Sequence, residues 1–100
     1  MKVEPMTAGG ITYVAFKCPG CNTLHQIQTP RWTWNESLDR PTFTPSILVM
    51  WEANPDAIEG FEEWRKARRC HSFVTDGRIQ FLSDCTHALA NQTVDLPELD

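Results

Sequence analysis

The sequence predicts an α+β fold, a small β-dominated domain with one short helix, and three observations lead there. Short runs rich in β-branched and aromatic residues are punctuated by turn residues. A Cys18-Pro19-Gly20-Cys21 knuckle closes the first of these runs. An Asp76-Gly77 step joins two others in the pattern of a tight hairpin.

The elements follow in order. Ile11 to Lys17 reads as a strand ending at the knuckle, and Leu24 to Gln28 returns antiparallel to it. Arg31 to Asn35 places Trp32 and Trp34 on one face of an extended segment, over the core. Arg40 to Ser46 holds two prolines, which suit an edge or a connection. Ile47 to Trp51 is a continuous apolar run, the pattern of a strand buried on both faces.

The one helix is predicted at about 54–69. Asn54 is a good N-cap, Pro55 suits the first helical position, and Asp56 and Glu59 sit near the positive end of the dipole. Ile58, Phe61 and Trp64 recur at helical spacing as a buried stripe. His71 to Val74 and Arg78 to Leu82 then flank the hairpin turn, and Thr93 to Asp100 adds a short edge strand through Val94 and Leu96.

One hundred residues without repeat or long linker read as a single domain, 1–100, short enough to profit from a cross-link. No signal-peptide core is present, and no window approaches the roughly 20 apolar residues of a membrane span, so a cytoplasmic location without membrane contact is expected. In that compartment four cysteines indicate metal ahead of disulfide. The net charge of −4 argues against general nucleic-acid affinity, which depends on neutralising phosphates.

Two thiolates two residues apart can face one tetrahedral ion, so Cys18 and Cys21 are expected to hold zinc in a zinc-ribbon-like knuckle. The second ligand pair is expected from Cys70, His71, Cys85 and His87, gathered at the open end of the hairpin. Cys70 and His71 are neighbours on a strand and face opposite sides, so one of them is a bystander. Cys70 would complete an all-cysteine site and His71 a site of three thiolates and one imidazole. His25, on a strand four residues after Cys21, ranks lowest as a ligand.

The segments CPGC, WTWNESLDRPTFTPSI and RCHSFVTDGRIQFLSDCTHALANQTVDLP resemble a family of small phage- and prophage-encoded zinc-binding proteins, often labelled ammonia monooxygenase. That label does not fit, because a copper membrane enzyme needs spans this chain lacks. The resemblance implies a phage accessory protein in the host cytoplasm. A related group that keeps a histidine six residues before the hairpin glycine favours Cys18, Cys21, His71 and Cys85 as ligands, with Cys70 and His87 as alternatives. Leu82 stands where that group has its final cysteine.

Three functions are weighed. The favoured one is non-enzymatic: a protein-binding module with structural zinc, whose partner is a host or phage protein and whose effect is to inhibit a host defence or host enzyme. The second is a nucleic-acid-binding zinc ribbon using Arg65, Lys66, Arg68 and Arg69 on phosphates, although cations at a helix C-terminus also suit the dipole. The third is a zinc hydrolase with Asp84, Asp76 or His87 as general base, for which no HExxH spacing is present.

Overall fold

The computed structural model describes residues 1–99. Nine strands and one 3-10 turn form its regular structure, and every strand pairing is antiparallel. Strands β1 (Val3–Ala8), β2 (Ile11–Cys18) and β3 (Thr23–Thr29) form a meander, and β4 (Thr33–Trp34) and β5 (Phe43–Thr44) a minimal pair. Strands β6 (Ile47–Trp51), β7 (Arg68–Thr75), β8 (Arg78–Phe81) and β9 (Thr93–Asp95) form a second meander.

The core lies between the two larger sheets. Val3, Val14, Phe16 and Ile27 face it from the first, and Ile47, Cys70, Val74, Ile79 and Phe81 from the second. Trp32 and Trp34 pack half-buried against its flank, as their alternation predicts. Along β7 burial alternates without a break: Cys70, Ser72 and Val74 point inward while Arg69, Phe73 and Thr75 are exposed and His71 is half-buried. The hairpin turn is where the Asp-Gly step places it, with Asp76 at φ 51° and Gly77 at φ 79°.

Three expectations are corrected. The helix at about 54–69 is absent; a four-residue 3-10 turn at Glu62–Arg65 is all that forms. Asn54 spends its side chain on an Asx turn to the Asp56 amide, Gly60 turns the chain at φ 94°, and Ile58, Phe61 and Trp64 stay exposed. Without a face to bury, the local helix signals lack the packing that stabilises helices in proteins. Ile47–Trp51 is a strand but is buried on one face only, since Leu48 and Met50 are exposed. At the chain's start, β1 was not expected from sequence, because Val3 is the only one of its residues that reaches the core. In the tail Thr93–Asp95 pairs with β8, and Asp100 lies outside the described residues.

Candidate active site and metal cluster

Strand β7 carries chemistry on both faces. On its outer face His71 lies opposite Leu48 of β6. Ser46, the residue just before β6, shares the outward parity of Leu48, and its Oγ is 3.2 Å from His71 Nε2. The other ring nitrogen, Nδ1, is 3.2 Å from Asp84 Oδ2, in the turn after β8. Arg69 Nη1 stands 3.8 Å from the same carboxylate oxygen, and Trp32 Nε1 donates to the Ser46 carbonyl at 3.3 Å. The His71 side chain is 25% exposed and Asp84 37%, so the group is open to a substrate yet partly shielded from water. Ser72, beside His71 in sequence, is fully buried on the inner face and is not available to react.

Cys85 fixes this arrangement from below. Its sulfur accepts from the His71 amide and donates to the His71 carbonyl, both at 3.2 Å, and the Leu82 amide donates to that carbonyl at 3.0 Å. The turn bearing Asp84 is thus tied to the strand bearing His71. Cys85→Ala is expected to loosen the line from Ser46 through His71 to Asp84 and to lower the reactivity of the Ser46 hydroxyl by about tenfold or more, because small misplacements of groups that act together cost large factors. The check is the rate of Ser46 modification beside an unchanged metal content.

The inner face of β7 carries Cys70, one of four residues that could hold a metal ion. Cys18 ends β2, Cys21 closes the knuckle, His25 sits on β3, and Cys70 reaches them from the opposite sheet. The ligand atoms of these four residues all lie within 4.8 Å of one another. Cys18 Sγ and Cys70 Sγ are 3.7 Å apart. Two thiolates bound tetrahedrally to zinc at about 2.3 Å stand roughly 3.8 Å apart, so the sulfurs already have the required spacing. His25 is 5% exposed, and its Nε2 is buried without a hydrogen-bond partner. An orphaned imidazole nitrogen beside three thiols is a donor set that could hold a metal ion.

Hydrogen bonds from Cys21 and then Cys70 hold the Cys18 thiol far below its ordinary range. Cys21 is pushed up to about 12, first by its bond to Cys18, and Cys70 is raised for the same reason. Three clustered thiolates need a cation to coexist.

A second group, Cys70, Cys85 and His87, adjoins the first through Cys70. His87 stacks edge-on to Phe81, and burial holds its imidazole below the usual range, favouring the neutral ring. Its Nε2 is also buried and unpartnered. A methyl group at Gly20 would collide with this ring, so the knuckle glycine is needed for close approach.

Of the expected ligands, the structure therefore brings Cys18 and Cys21 together with Cys70 and His25. It places Cys85 against the His71 backbone and leaves His71 in neither Cys/His group. The basic cluster turns inward in part: Arg68 lies 4.5 Å over Trp51 and 5.2 Å over Trp64, Arg65 donates to the Ala57 carbonyl, and Arg69 pairs with Asp84. Asp76 sits at the hairpin tip, where its amide donates to Thr42.

Ser46, His71 and Asp84 thus line up as hydroxyl, imidazole and carboxylate, the arrangement by which serine hydrolases are recognised whatever their fold. The comparison with known families agrees. The chain belongs to the family described as bacterial ubiquitination-like system serine protease (BubE), whose model matches residues 3–82. The match spans Ser46, His71 and the clustered Cys18, Cys21, His25 and Cys70, and stops two residues before Asp84. No curated protein and no solved structure matches the chain. The non-enzymatic expectation is corrected by this membership, since the family is described as a serine protease; sequence spacing showed the thiols but not a serine before β6 meeting a histidine on β7.

Sequence reasoning missed Ser46 altogether and weighed Asp84 only as a base beside zinc. Triad order varies between folds, and no G-x-S-x-G elbow marks this serine. One signal was present: a serine directly before an apolar strand whose partner strand carries a histidine.

Proposed function

We propose that this chain is a serine hydrolase acting on proteins, with Ser46 as nucleophile, His71 as general base and acid, and Asp84 as the group that orients the imidazole. The observation that carries it is the unbroken hydroxyl–imidazole–carboxylate line at 3.2 Å and 3.2 Å. His71 Nε2 takes the Ser46 proton as Oγ adds to the substrate carbonyl, and returns it to the departing amine when the C–N bond breaks. Water then attacks the acyl-serine, again giving its proton to Nε2, and releases the acid with Ser46 restored. Asp84 accepts from Nδ1–H, which fixes the tautomer with a free Nε2 and stabilises the imidazolium. Protein substrates fit the family's description as part of a ubiquitination-like system.

The same reading takes the ion at Cys18, Cys21, His25 and Cys70 as zinc, held in a zinc-ribbon-like knuckle completed from the opposite sheet. All four positions carry protein ligands, so the ion has a structural role and takes no part in the reaction. The site fits the two chemistries on opposite faces of one strand: metal inside, catalysis outside.

A fluorophosphonate probe tests the assignment. One probe per chain is expected, with the added mass on the peptide that contains Ser46. Labelling of another serine, or none at all in folded protein, would remove Ser46 from its role.

A further inference from the structure

Strand β6 ends its sheet, paired to β7 on one side only. Apart from that pairing, no hydrogen bond reaches Ile47–Trp51 among the described residues. A strand edge of this kind is a template for another extended chain. Leu48 and Met50 project from its outer face, 49% and 58% exposed, opposite His71 and Arg69 of β7, and Phe73, 42% exposed, lies further along β7 at the Ser46 end. Ser46 directly precedes this strand and shares the parity of Leu48 and Met50, so the three side chains form one outward row.

We infer that β6 is the substrate-binding strand: an extended segment of a polypeptide pairs with its free edge and rests alternate apolar side chains on Leu48 and Met50, which delivers the scissile bond to Ser46. This inference rests on the catalytic reading of Ser46 and names the form of its substrate. Two features of the strand require the same occupant. Main-chain groups at the edge call for an extended backbone, which a compact small molecule cannot supply. The exposed apolar side chains at every second position call for apolar residues at the same period in that backbone. His71 and Phe73 then bound the bond from the β7 side.

The test uses the full chain and a mixture of unstructured ten-residue peptides of randomised sequence, with cleavage sites read by mass spectrometry. Cleaved peptides are expected to carry apolar residues at alternate positions on one side of the scissile bond. N-methylation of the backbone within that stretch, which removes a donor and leaves the side chains alone, should lower kcat/KM by roughly tenfold to a hundredfold. Leu48→Thr and Met50→Thr replace each apolar side chain by a shorter polar one that still favours strands, and are expected to cause losses of the same order, while fluorophosphonate labelling of Ser46 proceeds at the parent rate. Labelling with no peptide cleavage, cleavage without alternation, or indifference to both N-methylation and the two variants would overturn the inference and leave the catalytic reading standing. Loss of labelling in the parent protein would instead sink the catalytic reading.

Discussion

Ser46→Ala is expected to reduce hydrolysis by on the order of ten-thousandfold or more, with His71→Ala close to it and the double variant no worse than either. Non-additivity is the diagnostic part. Without the hydroxyl there is nothing for the imidazole to activate, and without the base the hydroxyl is a poor nucleophile at neutral pH. Asp84→Asn should be less severe than either, since it leaves nucleophile and base in contact but favours the wrong tautomer. All three side chains lie at the surface or half-buried, so melting temperatures should stay near that of the parent. Two independent losses that multiplied would show that Ser46 and His71 do not act as one unit.

The second large effect is on folding. Removing the metal with a chelator, or changing Cys18 to Ser, is expected to unfold the chain. Structural zinc in small domains contributes roughly 10 kcal/mol or more. That is comparable with the whole stability of a small domain, about 5–15 kcal/mol. The ion would join β2 and β3 of one sheet to β7 of the other, so its loss opens the core between them. Affinity should fall as pH is lowered, because protons compete for the thiolates. The ligand assignment has its own discriminating pair: Cys70→Ser and His25→Ala should release zinc, whereas His71→Ala should retain it and abolish hydrolysis. Zinc retained in Cys70→Ser and lost in His71→Ala would restore the ligand set that the sequence alone suggests.

Much of the β architecture was legible because its signals are local. Asp76-Gly77 specifies its own turn, Cys18 to Cys21 its knuckle, and the alternation at Trp32 and Trp34 its face. The helix signals between Asn54 and Arg69 were equally local but misled, since the stripe they define, Ile58, Phe61 and Trp64, is left exposed and not buried in the core. The candidate active site was out of reach for the opposite reason. Ser46, His71 and Asp84 come from three separate segments and meet only through the register that sets Leu48 against His71 and the turn that Cys85 ties back. His25 was ranked low because a strand histidine reads as half-exposed. Pairing with Phe16 and stacking near Trp51 bury it instead.

The strict alternation along β7 makes this strand intolerant of length change. Slipping it by one residue would point His71 at the cysteines and Cys70 at solvent, so a single insertion or deletion there removes a base and a ligand together. Descendants of this chain are therefore expected to vary freely in length between Glu52 and Lys66, yet to keep the spacing from Arg68 to Thr75 fixed. Whichever of the two chemistries selection happens to be guarding, the other is preserved with it.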